Sequence, residues 1–344
     1  MSNGTIFAID PYCKKRNKKY NFIIGRNMIK VKDLKKDYEI KRGLFKPAIT
    51  TVNALKGVSF SIKDGETVGL IGLNGAGKST LLKILSGILK PSSGVVTVDG
   101  YIPYERKNKF LTTIGVVMGQ RSILFYDIPV KDSLKFYKEV YGIGDELYNK
   151  RIALYNEILH LDEIYETPVR KLSFGQRMRA ELCASILHNP KLIFLDEPTV
   201  GLDILVKDEM IQFLDRLNKE FNTTIILTTH NIDEIEKFCR RVILVDNGTI
   251  VFDGDGEVLT YMDSKKNIKF RNFGLAVTEF EPFGTVEILE DGYVQIRAEN
   301  DKTASCIDFL TKNNLSNDIS ITNDSLEMRL KNYYRASPKT LSDF

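Results

Sequence analysis

The stretch "ETVGLIGLNGAGKSTLLKILSGIL" (66–89) decides the fold. Its first part, "ETVGLIG" (66–72), is a short apolar run that reads as a buried strand. Its last part, "KSTLLKILSGIL" (78–89), puts Leu81, Ile84 and Leu85 on one helical face. Between them lies "GLNGAGKST" (72–80), with Gly72, four residues, then Gly77, Lys78 and Ser79. Glycines let the backbone N–H groups close around phosphate oxygens, and the helix N-terminus adds positive potential. In such a P-loop Lys78 reaches the β- and γ-phosphates and Ser79 ligates Mg²⁺.

Working outward, short apolar runs alternate with helical patterns, which indicates an α/β layer. "GVSFSI" (57–62) reads as a strand. Helical stretches follow near 131–142 and 145–161, the second with Ile152, Tyr155 and Leu159 on one face. "KLIFLDEP" (191–198) and "TTIILTTH" (223–230) are apolar without alternation, as parallel strands buried on both faces are. The first ends in Asp196 and Glu197 at its C-terminal end, the edge where ligands of open α/β sheets bind. There Asp196 suits the Mg²⁺-supporting acid of the Walker B strand, and Glu197 suits a general base for the attacking water.

The bulk composition narrows the function. Over 344 residues the formal net charge is +4, and six basic residues against one acid fall within 1–27. The remaining 43 basic and 44 acidic residues nearly cancel, which argues against nucleic acid as a partner. The basic segment "CKKRNKKYNFIIGR" suits either a solvated tail or contact with anionic lipid. No run of 18 apolar residues or signal-like core is present. Cys13, Cys183, Cys239 and Cys306 lack metal or redox spacing and read as free thiols of a reducing compartment.

"LSFGQRMRAEL" (172–182) completes a recognisable order. The P-loop, Gln120, this signature, the Walker B carboxylates, "GLD" (201–203) and His230 after a strand follow one another over about residues 28–255. This order resembles the nucleotide-binding subunit of an ATP-binding cassette (ABC) transporter. The resemblance implies a P-loop NTPase of α/β class: a RecA-like core, an antiparallel β subdomain, and an α-helical subdomain over about 121–187. It further implies ATP and Mg²⁺ as ligands, with Gly72, Asn74, Gly75, Ala76, Gly77, Lys78, Ser79 and Thr80 holding phosphate. Ser79, Gln120 and Asp196 serve the metal, and Glu197, Gln120 and His230 the hydrolysis. Ser173, Gly175 and Gln176 resemble signature residues that meet the γ-phosphate bound to a second cassette, and Asp203 resembles the residue that crosses that interface. One P-loop and one signature per chain then imply a homodimer enclosing two ATP. The family stacks an aromatic on adenine, for which Tyr38 is the first choice and Phe45 the rival.

"IGVVMGQRSILFYDIPVKDSLKFYKEVYGI" looks most like cassettes of ABC-2-type exporters, with polysaccharide exporters second. A non-transport ATPase is the remaining alternative, disfavoured by a single cassette and by the lack of sustained heptads in 90–170. The expectation is a peripheral protein on the cytoplasmic face of the membrane, driving a separately encoded permease. Ile123, Leu124, Phe125 and Tyr126 are read as the groove for a permease helix, or else as core of the helical subdomain. Residues 1–27 form the tail and 28–256 the ATPase domain. Residues 257–344 read as a small α+β extension, with Asp291-Gly292 as a hairpin turn and a helix in "ASCIDFLTKN".

Overall fold

The computed structural model describes residues 27–42, 48–118, 122–229, 232–255, 265–289, 292–315 and 318–323. The chain divides into two compact units, Met1–Thr229 with Lys237–Asp253, and His230–Glu236 with Gly254–Phe344.

The first unit begins with a long hairpin of β1 (Asn27–Arg42) and β2 (Ala48–Lys63). β3 (Thr67–Ile71) leads through the glycine loop into α1 (Lys78–Leu85), and β4 (Ser93–Val98) returns to pair with β1. In β1, Ile29 and Val31 point inward while Lys30 and Lys32 are exposed. A register irregularity between Val31 and Leu34, with Asp33 at φ 48°, adds one residue and shifts the alternation. Leu34 is thereby buried on the same side, as a β-bulge allows. The resulting antiparallel sheet, order β2-β1-β4, shares one hydrophobic core with α1 and the second sheet.

That second sheet is built from β5 (Ile114–Met118), β6 (Leu192–Asp196), β7 (Thr224–Thr228), β3, β8 (Arg241–Asp246) and β9 (Thr249–Asp255). Its order is β5-β6-β7-β3-β8-β9, and the β5–β6, β6–β7, β7–β3 and β3–β8 pairs are parallel. All five residues of β3 and of β7 are buried, which explains why neither strand alternates between apolar and charged residues. Register aligns Met118, Asp196, Thr228 and Leu70 in one row near the C-terminal ends of these strands. Ile226, fully enclosed on β7, tests this packing: Ile226→Val should cost about 0.5–1.5 kcal/mol in urea unfolding, through one lost methyl group.

The short helix α2 (Asn108–Leu111) precedes β5. Between β5 and β6 stand α3 (Val130–Val140), α4 (Asp145–Leu159) and α5 (Phe174–Ile186). On α4 the predicted Ile152, Tyr155 and Leu159 are buried, joined by Tyr148. α4 stops at His160, in the left-handed conformation with φ 48°. Tyr155 packs edge-on against Phe213 of α6 (Ile204–Phe221), at 6.0 Å between ring centroids. α7 (Ile232–Phe238) follows β7.

The second unit holds β10 (Lys266–Arg271), β11 (Gly284–Ile288), β12 (Tyr293–Ala298), α8 (Asn300–Lys312) and β13 (Ser320–Asn323). Its antiparallel sheet has the order β11-β12-β10-β13. Alternation selects the core: Ile268, Phe270, Val294, Ile296 and Ala298 cluster with Cys306 and Leu310 of α8. β11 and β12 pair as a hairpin, while Asp291 of the predicted turn lies outside the described residues.

Candidate functional site

The loop after β3 is shaped by close backbone approaches. Gly77 has φ 111°, and a Cβ there would sit 2.7 Å from the Ala54 carbonyl oxygen. At Gly72 a Cβ would lie 2.1 Å from the Val245 carbonyl oxygen, so β8 presses on the start of the loop. Gly77 caps α1 without any side-chain hydrogen bond, which leaves the N–H groups of the first turn for a ligand.

Beside this loop lies a cavity of about 450 Å³. Asn74, Gly75, Gly77, Lys78, Ser79 and Thr80 line it from the loop and α1, and Asp196 and Glu197 line it from the end of β6. Gly72 and Ala76 shape the loop from behind: the Gly72 carbonyl accepts from Lys78 Nζ at 2.8 Å, and the Ala76 carbonyl accepts from the Gly248 N–H. Lys78 Nζ also donates to the Leu73 carbonyl at 3.1 Å. Burial holds this amine below the ordinary lysine range, while the nearby Glu197 and Asp196 pull in the opposite direction.

The carboxylates are held by adjacent strands. Ser79 Oγ donates to Asp196 Oδ1 at 3.1 Å, and Thr228 Oγ1 donates to the same oxygen at 2.7 Å. Glu197 adopts φ 51°, and its N–H is shared between the Thr228 carbonyl at 3.1 Å and the Thr228 hydroxyl at 2.9 Å.

The signature stretch forms the start of α5. Ser173 accepts from the Gln176 N–H at 3.3 Å, and Gln176 Oε1 accepts from the Ser173 N–H at 2.9 Å, a reciprocal capping box. Gly175 packs under Leu202, where a Cβ would stand 3.4 Å from a Leu202 methyl group. Asp203 caps α6 by accepting from the Val206 N–H at 3.0 Å.

The family model described as ABC transporter matches residues 55–200. The ABC transporter ATP-binding protein NatA of Bacillus subtilis (strain 168) is 30% identical over 219 residues, spanning 64% of this chain and 89% of that protein. The methionine import ATP-binding protein MetN of the same organism is 34% identical over 267 residues, 76% of this chain and 75% of that protein. A solved dimeric ATP-binding cassette in a post-hydrolysis state, bound to ADP and Pi, superimposes with a TM-score of 0.58 at 27% identity, covering 66% of this chain and 98% of that one.

The chain belongs to the ABC transporter ATP-binding family. It is an ABC ATPase, the ATP-binding subunit of a transporter. In this ABC ATPase six residues of the 72–80 loop and helix start, and both carboxylates of β6's end, converge on one cavity, with Gly72 and Ala76 behind it. Tyr38 stands beside them, its hydroxyl 3.5 Å from Thr80 Oγ1 and its ring beneath Lys36 Nζ at 5.2 Å. Ser173, Gly175 and Gln176 do not line the cavity, although Phe174 between them does. Gln120, His230 and Phe45 lie outside the described residues.

Four contributors were not foreseen. Ala54, Phe174 and Val200 line the cavity, and Thr228 is joined to Asp196. The only trace of Thr228 in the sequence is a hydroxyl residue ending an apolar strand. The stretch 123–126 divides: Leu124 is core at 5% exposure, whereas Phe125 and Tyr126 stand out at 41% and 65%. This irregular turn sends Leu124 inward and the consecutive Phe125 and Tyr126 outward, and Tyr137 pins it by donating to the Ile123 carbonyl at 2.6 Å.

Proposed function

We propose that this ATPase works as a homodimer that closes around two Mg-ATP on the cytoplasmic face of a membrane and drives export through a separate permease of ABC-2 type. The observation that carries this reading is the convergence of Lys78, Ser79, Asp196 and Glu197 on a cavity that the signature residues Ser173, Gly175 and Gln176 do not line. A phosphate loop without its signature groups is half of a site, and a second copy supplies the rest by two-fold symmetry. Exposed apolar side chains beside Asp203, with Ile204 and Leu205 each about three-quarters accessible, support a covered interface there.

In the proposed cycle the loop N–H groups, with Asn74 and Thr80, hold the phosphates, and Tyr38 stacks on adenine. Lys78 exchanges the Gly72 and Leu73 carbonyls for β- and γ-phosphate oxygens. Ser79 and Asp196 fit a cation carried mainly by nucleotide, since one hydroxyl and one carboxylate complete the sphere that phosphates and waters begin. Held by Ser79 and Asp196, Mg²⁺ would supply positive charge against the phosphates. The resemblance assigns Gln120 and His230, which lie outside the described residues, to the hydrolysis step. Glu197 takes the proton of the attacking water. Loss of the γ-phosphate removes the contact to the partner signature, and the dimer opens.

The permease side of the reading rests on the turn after β5. Phe125, Tyr126, Ile128, Phe136 and Val140 are all exposed, and Phe125 packs edge-on against Phe136 at 4.8 Å. Among the described residues no helix is long and apolar enough to cross a membrane, which is consistent with a separate membrane subunit. Tyr126→Ala is expected to abolish permease-coupled transport. Basal ATPase and melting temperature should stay unchanged, because an exposed ring contributes under about 0.5 kcal/mol to stability. A matching fall in melting temperature would instead assign the ring to packing. Co-purification from membranes tests the whole reading: the partner should carry about six apolar segments of ~20 residues. Recovery of ribosomes or DNA in its place overturns it.

A further inference from the structure

The Walker B carboxylate has a partner that no motif names. Asp196 and Thr228 are register partners on the parallel strands β6 and β7, so their side chains leave the sheet on the same face. Thr228 is fully buried, and its hydroxyl makes two contacts under 3 Å, both to the proposed site pair, and a longer one of 3.5 Å to the Leu195 carbonyl. It donates to Asp196 Oδ1 at 2.7 Å and accepts from the Glu197 N–H at 2.9 Å.

We propose that Thr228 is a positioning residue for ATP hydrolysis, fixing the Asp196 carboxylate and the Glu197 backbone with one hydroxyl. The proposal rests on the roles given above to Asp196 and Glu197. Among the described residues both hydrogen bonds to the Asp196 carboxylate fall on Oδ1, from Ser79 and from Thr228. Two donors on one oxygen set the plane of the carboxylate and leave Oδ2 to an ion or its water. The second contact acts on backbone. Glu197 stands in the left-handed region, which a side chain beyond Cβ enters only when its surroundings hold it there. The bifurcated bond from its N–H to Thr228 Oγ1 and O supplies that hold at the residue that aims the base. A buried position that only needed filling would accept valine, which has the same shape and no hydroxyl to satisfy. The hydroxyl therefore points to the carboxylates as its reason.

The test compares wild type, Thr228→Val and Thr228→Ser in the full chain. A hydrogen bond to a charged group lost from a preorganised site predicts a kcat about ten- to hundredfold lower for Thr228→Val, with KM for ATP little changed. The Mg²⁺ concentration for half-maximal rate should rise. So should the Mg²⁺ needed to raise the melting temperature with ADP, a readout independent of turnover. Thr228→Ser, which keeps the hydroxyl, should restore all three. Wild-type kcat and Mg²⁺ dependence in Thr228→Val overturn the proposal, and so does a loss that serine fails to rescue. A Thr228→Val chain that loses activity only in proportion to its folded fraction overturns it as well. Asp196→Asn separates the two levels. If its Mg²⁺ requirement matches wild type, the assignment of Asp196 fails; if only Thr228→Val is silent, the positioning role alone fails.

Discussion

Lys78→Ala should lower kcat/KM for ATP by about 10²–10³-fold, the cost of removing one preorganised donor from developing phosphate charge. The geometry explains why the effect is large. Lys78 is enclosed at 6% exposure and is already aimed into the loop by the Gly72 and Leu73 carbonyls. Its side-chain entropy is therefore spent in folding, not at the moment of reaction. Lys78→Arg should not rescue, because a planar guanidinium cannot occupy the place of a compact ammonium between two carbonyls. Steady-state hydrolysis together with equilibrium binding of ATP checks both variants. A Lys78→Ala protein with wild-type kcat/KM would falsify the assignment of the cavity to phosphate. The loop fold itself should survive, since it is set by Gly72, Gly77 and the Ala76–Gly248 backbone bond and not by the amine.

Glu197→Gln should lower kcat by about 10²–10⁴-fold, the usual contribution of a positioned general base, while ATP still binds. The amide matches the carboxylate in size, so the capture of the Glu197 N–H by Thr228 persists and only basicity is lost. Because the γ-phosphate is then retained, ATP and Mg²⁺ should trap a dimer, eluting at twice the monomer mass in size-exclusion chromatography. A monomer at saturating Mg-ATP counts directly against the two-site sandwich. The pair of variants also separates the two functions proposed for one cavity: Lys78 toward phosphate, Glu197 toward water.

Much of this site is legible in the chain because it is local. Nine consecutive residues, 72–80, carry their own strand exit, glycines and helix start, so the motif can be read before any distant contact is known. The same holds for Ser173 and Gln176, three residues apart, whose capping box fixes the start of α5. The doubly buried strands are visible as unbroken apolar runs, and the buried face of α4 as a repeat of Ile152, Tyr155 and Leu159.

What composition and spacing determined is therefore the set of elements and the chemistry each carries: a phosphate loop, a pair of acids at a strand end, a signature at a helix start. Tertiary structure decided which of these meet. The register of β6 on β7, set by packing between segments some thirty residues apart, puts Thr228 against Asp196. The approach of the Val245 carbonyl explains Gly72, and a turn pinned by Tyr137 buries Leu124 while exposing Phe125 and Tyr126. Local propensity is a property of a few neighbouring residues, whereas strand register and side-chain facing are fixed only when distant surfaces exclude water together.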